Sequence, residues 1–96
     1  MANAYWVVCY RKIIDPAKLD AYRALAGDAI EAVGGRFIVR GAPSKTYEAG
    51  LSERVVIIEF ESMDAAIAAH DSPGYQKALA AFDGGAERDM RLVEGV

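Results

Sequence analysis

The sequence predicts an α+β domain of the ferredoxin-like type, β-α-β-β-α-β, with an antiparallel sheet and helices on one face. Three observations lead there. Apolar runs rich in β-branched and aromatic residues, "AYWVVCYRK" at 4–12 and "RVVIIEF" at 54–60, read as strands. A segment of helical spacing follows each of them, opened by an acid or serine and then proline: Asp15-Pro16 after the first and Ser72-Pro73 after the second. Glycine pairs at 34–35 and 84–85 close those segments. The chain of 96 residues is one domain, 1–96.

The elements follow in order. The first strand, 4–12, is apolar on both faces, with Tyr5, Val7 and Cys9 on one and Ala4, Trp6, Val8 and Tyr10 on the other. A helix over 16–33 carries Tyr22, Leu25, Ala26, Ala29, Ile30 and Val33 as its buried stripe. The second strand is 36–40, and "GAPSK" is a turn. Residues 45–49 are expected to form a short extended piece. The third strand is 54–60. Ser62 caps a helix from Met63, on which Met63, Ala66, Ile67 and His70 share a face. "DSPGY" interrupts it. A new helix runs from Pro73 to about Phe82, with Tyr75, Leu79 and Phe82 on its apolar side, and 89–94 is the last strand.

Helices cover only one face of such a sheet. The first and third strands nevertheless offer large apolar groups to both. Apolar patches beyond roughly 300–600 Å² are uncommon on monomers, and covering each large side chain contributes about 1.5–3 kcal/mol. A homodimer packed sheet to sheet is therefore expected. Acids and bases are mixed along the chain, with a net charge of −3 and no basic stripe with interleaved aromatics, which argues against nucleic acid as a partner. No apolar stretch approaches the ~20 residues that span a bilayer. The N-terminal charges follow the apolar run instead of preceding it, unlike a signal peptide. No membrane association and a cytoplasmic location are the expectation. Cys9, alone and in an apolar run, reads as a buried small hydrophobe.

"AYW" at 4–6, "DP…AY" at 15–22, "GGRFIVRG" at 34–41, "RVVIIEF" at 54–60, "DSPGYQ" at 71–76 and "VEG" at 93–95 occur in the order of a family of small bacterial proteins. The chain resembles domain-of-unknown-function family thirteen-thirty, over nearly its whole length. The resemblance implies membership of the dimeric α+β barrel superfamily, in which two ferredoxin-like subunits pack their sheets together. That superfamily also holds cofactor-free monooxygenases, muconolactone isomerases and haem enzymes, so the fold alone selects no chemistry. Relatives often have a tryptophan before the third strand, "WY" before the "DSP" turn and an arginine near position 82. This chain has "AGLSER", Ala69-His70 and Phe82 there. A pocket lined by those positions would differ in shape and charge.

The residues that carry candidate chemistry are few. In "GGRFIVRG", strand alternation puts Arg36, Ile38 and Arg40 on one side and Phe37 and Val39 on the other. A hairpin centred near 47–48 sets Arg36 opposite Glu59 and Arg40 opposite Val55 on the same face, subject to any bulge in "GAPSKTYEAGLS". Glu59, set in "IIEF", needs a partner, and Arg36 supplies one. The pair reads either as two charges satisfying each other or as an anion-binding arginine beside a carboxylate that positions or deprotonates a ligand. His70, the single histidine, reads either as a half-buried hydrogen-bonded side chain or as a general base at a pocket mouth. Trp6, Tyr5, Tyr10 and Tyr22 pack the core and dimer interface in one reading and line an aromatic pocket in the other. No metal site is readable from one histidine and one cysteine. "GGRFIVRG" opens no helix and so is no dinucleotide fingerprint, and no cofactor is expected. Two functions remain open. One is a homodimer that binds a small acidic or aromatic ligand through Arg36, Arg40, Trp6 and Tyr22. The other is a cofactor-independent enzyme, of isomerase or monooxygenase type, using Glu59 or His70 as general base.

Overall fold

Ala4, Trp6, Val8 and Tyr10 are all buried, whereas Tyr5 and Val7 between them are half-buried and Cys9 is exposed. This period of two turns one face of the strand towards the helices. In the computed structural model, which describes residues 2–96, the strand is β1 (Ala4–Ile13). It is followed by α1 (Pro16–Ala32), β2 (Arg36–Gly41), β3 (Val55–Phe60), α2 (Met63–Asp71), α3 (Pro73–Phe82) and β4 (Ala86–Glu94). The sheet order is β2-β3-β1-β4, and every neighbouring pair is antiparallel. This is the ferredoxin-like α+β fold expected from the sequence.

The helix ends are fixed by the residues that the sequence marks. Asp15 Oδ1 accepts from Ala17 N (3.0 Å) and Lys18 N (3.3 Å), with Pro16 in the first turn. Ser62 Oγ accepts from Ala65 N at 3.1 Å. Ser72 Oγ donates to Ala69 O (2.7 Å) and accepts from Tyr75 N (3.4 Å), closing α2 and opening α3 in one residue. Past α1 the chain turns at Gly34, whose φ of 91° suits glycine.

One core lies between the helices and the sheet. Leu19, Tyr22, Ala26 and Ile30 of α1, Ala66 and Ala69 of α2, and Tyr75, Ala78 and Phe82 of α3 meet the buried residues of β1 and β3. Trp6 is its centre. The ring lies 5.2 Å from Phe60 and 5.0 Å from Tyr75, and its Nε1–H donates to Ala66 O at 2.9 Å. The indole is thus buried without an orphaned donor.

Several details differ from the sequence reading. Residues 45–49 form no strand and belong to the long β2–β3 connection. β4 begins at Ala86, three residues earlier than expected, because it pairs with the whole far end of β1. Leu19 takes the place on the α1 stripe expected for Leu25 and Val33, both of which are largely exposed. Cys9 is exposed on the helix-free face, not buried in this subunit.

The register of β2 carries the most consequence. Arg36 pairs with Glu59 and Phe37 with Ile58, as expected, but Val39 then pairs with Ile57 and Arg40 with Val56. Ile38 is an extra residue, a β-bulge that reverses the alternation beyond it. Arg40 therefore does not oppose Val55 on the Arg36 side. It shares the helix-facing side with Val56.

Candidate functional site

A cavity of about 550 Å³ lies between α1 and the helix-facing side of β1 and β3. Its walls are apolar where the core reaches it, at Trp6, Val8, Ala26, Ile30, Val56 and Ile58. Its polar groups are mostly cationic: Arg23 from α1, Arg40 from β2, Arg54 just before β3, and Arg88 from β4. Asp20 is the carboxylate beside them. Four arginines around one cavity contrast with a chain whose net charge is −3.

Arg88 is the innermost of these. Antiparallel pairing sets it opposite Tyr10, on the helix-facing side. Its Nη1 donates to the Tyr22 hydroxyl at 3.1 Å and lies 3.5 Å from that of Tyr10, and its Nη2 donates to the Tyr75 hydroxyl at 3.2 Å. Tyr22 and Tyr75 share a further bond of 2.8 Å. The guanidinium stacks over the rings of Phe82 (4.4 Å) and Tyr22 (4.7 Å). Among the described residues no carboxylate lies within ion-pair distance of it. Burial works against its charge, but the oxygens of Tyr22 and Tyr75 outweigh that, and Arg88 holds its proton more firmly than a free arginine. Burial and the neighbouring Tyr75 push the Tyr22 hydroxyl above the ordinary tyrosine range despite Arg88, so Tyr22 is a neutral hydrogen-bonding group at physiological pH. The result is a half-buried cation, caged by hydroxyls and facing an apolar cavity. Such a group favours an oxyanion: a carboxylate, phenolate or enolate.

The other three arginines line the same cavity, Arg23 and Arg40 with exposed side chains that mark its solvent side and Arg54 half-buried between them and the core. Arg54 O accepts from Tyr10 N at 2.9 Å, which ties the start of β3 to β1. Burial, repulsion from Arg23 and lesser repulsion from Arg40 lower the proton affinity of Arg54, against the pull of Tyr10. Arg40 stacks over Phe37 at 4.5 Å. Arg23 approaches Asp20 only loosely, at 3.9 Å between two largely exposed side chains.

The residues singled out from sequence fall into two groups. Trp6, Tyr22 and Arg40 border the cavity. Arg36 and Glu59 meet on the opposite, helix-free face, where Arg36 Nη2 and Nε donate to Glu59 Oε1 at 2.6 and 3.1 Å. Tyr5 and Asn3 each donate to Glu59 Oε2 at 3.2 Å. Arg36 is the first cause of the Glu59 carboxyl lying below its usual range. His70 sits at the end of α2, with Nδ1 3.1 Å from Asp71 Oδ1 and its ring edge-on to Trp6 at 6.1 Å, and it does not line the cavity. Arg36, Glu59 and His70 are therefore not one cluster. Arg23, Arg54 and Arg88 border the cavity without being singled out by the sequence pattern. For Arg88 a signal existed: it shares its face with Met90 and Leu92 and comes opposite Tyr10 once β4 is extended back to Ala86. No three His, Cys, Asp or Glu side chains converge as metal ligands among the described residues. No helix among them is long and apolar enough to cross a membrane.

A four-stranded antiparallel sheet with helices on one side and a cavity beneath the first helix defines a ferredoxin-like α+β protein. Solved structures share that fold. A protein of unknown function from Rhodopseudomonas palustris superposes with a TM-score of 0.75 at 16% identity, over 99% of this chain and 83% of that one. SnoaB, a cofactor-independent oxygenase from Streptomyces nogalater, gives 0.67 at 16% identity, over 100% and 95% of the two chains. A dimeric ferredoxin-like protein of unknown function from Thermobifida fusca gives 0.60 at 16% identity, over 98% and 92%. No curated protein matches the chain. The chain belongs to the family described as domain of unknown function DUF1330, whose model matches residues 3–96.

Proposed function

We propose that this protein binds a small organic acid or phenol with an apolar or aromatic body in the cavity beneath α1, and that it does so as a homodimer. The observation that carries the reading is Arg88, a half-buried guanidinium without a carboxylate partner among the described residues, held towards an apolar cavity by three tyrosines. A charge withdrawn from water is costly unless something compensates it. The hydroxyls compensate in part, and an anionic ligand completes the pairing. Trp6 and Tyr22 supply aromatic surface to the ligand body, and Arg40 stands at the opening. The cavity volume suits a small ligand.

The dimer rests on the other side of the sheet. Tyr5, Val7, Val55 and Ile57 are only half-buried there, and Val39 and Val93 are more than two-fifths exposed. A second copy packed sheet to sheet covers this surface, with Cys9 in the contact. The Thermobifida fusca neighbour, whose fold this chain shares, is a dimeric protein.

A second reading is a cofactor-independent enzyme of isomerase or monooxygenase type. It draws on the likeness to SnoaB, a cofactor-independent oxygenase, and on the hydrogen-bonded Tyr22–Tyr75 pair, of which Tyr22 borders the cavity as a neutral hydroxyl able to hydrogen-bond a developing oxyanion. Glu59 or His70 as its general base has less behind it, since neither borders the cavity.

A thermal-shift screen with small carboxylates and phenols tests the binding reading. Ligands that bind the folded protein raise its melting temperature by mass action. Benzoate and substituted benzoates are expected to do so at millimolar concentration. A flat response across carboxylates and phenols alike would remove the support for this reading.

A further inference from the structure

The opening of the cavity has a charge pattern of its own. Arg40 and Arg54 have no carboxylate within ion-pair distance among the described residues. They are near neighbours on the helix-facing side: Arg40 pairs with Val56, two residues after Arg54, which directly precedes β3. Arg23 faces them from α1, across the same cavity. Asp20 can neutralise at most one of the three, and its one approach to them is the loose 3.9 Å contact with Arg23. The local excess is two positive charges. Three separate elements of the fold deliver it, and the bulge at Ile38 is what turns Arg40 to this side. The Arg40 guanidinium is held against the Phe37 ring at 4.5 Å, so it is oriented before any ligand arrives. Its neighbour Arg54 stays close to two like charges, an arrangement that a doubly charged anion relieves.

We propose that the mouth of the cavity seats a phosphate monoester, with Arg40, Arg54 and Arg23 around the phosphate and the organic body directed inward over Val8 and Val56 towards Arg88. The ligand class is then an organic phosphate ester. The inference rests on the binding reading above and narrows it. A phosphate dianion matches the excess of two charges, and its three terminal oxygens accept from guanidinium donors arriving from different directions. A monocarboxylate satisfies only one of the unpaired arginines.

Isothermal titration at about 0.1 M salt with phenyl phosphate and with benzoate tests this. Phenyl phosphate is expected to bind at least about tenfold more tightly than benzoate, the lower end of what one charged hydrogen bond contributes. Arg54→Gln and Arg40→Gln should each lower phenyl phosphate affinity about tenfold and benzoate affinity by distinctly less. Melting curves of both variants check that the fold persists. If benzoate binds and phenyl phosphate binds no more tightly, the phosphate assignment falls while the cavity reading stands. If phenyl phosphate binding is indifferent to both substitutions, the phosphate sits elsewhere and the proposal is wrong. If neither compound binds, both readings fail together.

Discussion

Replacing Arg88 with methionine separates a guanidinium kept for the fold from one kept for a ligand. In the wild type, Arg88 donates at 3.1 and 3.2 Å to Tyr22 and Tyr75, with a weaker contact of 3.5 Å to Tyr10. Hydrogen bonds to a charged group contribute about 1.5–3 kcal/mol each, so two good ones near the lower end amount to about 3–4 kcal/mol. Against this stands the desolvation of a half-buried ion with no counter-charge, several kcal/mol after relaxation. The two nearly cancel. Methionine keeps much of the side-chain volume and the contact with Phe82 and Tyr22, and the Tyr22–Tyr75 bond of 2.8 Å survives. The net change in unfolding free energy is therefore expected to stay within about 1.5 kcal/mol, a shift of less than about 10 °C for a domain of this size. Benzoate affinity, by contrast, should fall between about ten- and a hundredfold. Urea unfolding and calorimetric titration of the same preparation read both quantities. A loss of more than about 3 kcal/mol with no effect on binding would make Arg88 a structural residue with no part in ligand capture.

Three further outcomes follow from the same structure. Light scattering should give twice the chain mass of 10.3 kDa, and Ile57→Lys, which charges the centre of the helix-free face, should halve it; a stable wild-type monomer at micromolar concentration would contradict the dimer. The Glu59 carboxyl is held low chiefly by Arg36, so its contribution to stability is present above its unfolded value of about 4.5 and is lost as the pH falls through the lower folded value. Glu59→Gln should therefore reduce stability at neutral pH and flatten the loss below about pH 4.5, as followed by urea midpoints against pH; an unchanged acid limb would show that the pair contributes nothing. Gly35→Ala should cost about 1–3 kcal/mol, because an added Cβ meets the Ile30 side chain and lies 3.0 Å from the Phe60 ring; a neutral result in thermal melts would mean that α1 shifts to make room.

The architecture was legible because local signals agreed with one another. The two-faced apolar pattern of 4–10, the Asp15-Pro16 and Ser72-Pro73 starts and the glycine stops sit where the elements begin and end. The pairing of Arg36 with Glu59 was also legible, since hairpin symmetry reaches that far. It failed four residues on, because a bulge inserts one residue and nothing in "RFIVR" announces that Ile38 is the extra one. The cavity was harder to see. Its cations come from four distant points in the chain: Arg23 on a face that looks solvated, Arg40 beyond the bulge, Arg54 before a strand, and Arg88 in a segment read as preceding one. Only the sheet register and the position of α1 bring them together. His70 and Glu59 drew attention for their chemistry, yet the fold directs them elsewhere, to the end of α2 and to the uncovered side of the sheet.

If an anion enters the cavity beneath α1 and reaches Arg88, as proposed, the arginine side chains themselves report on it. With ¹⁵N-labelled protein, the Nε–Hε resonances assigned by single substitutions can be followed as benzoate is added. A saturable shift of the Arg88 resonance is expected, while Arg36 and Arg91, which pair with Glu59 and Val7 on the helix-free face, stay still. Movement of Arg36 with a silent Arg88 would place the ligand on the helix-free side of the sheet and leave the cavity without its proposed anion.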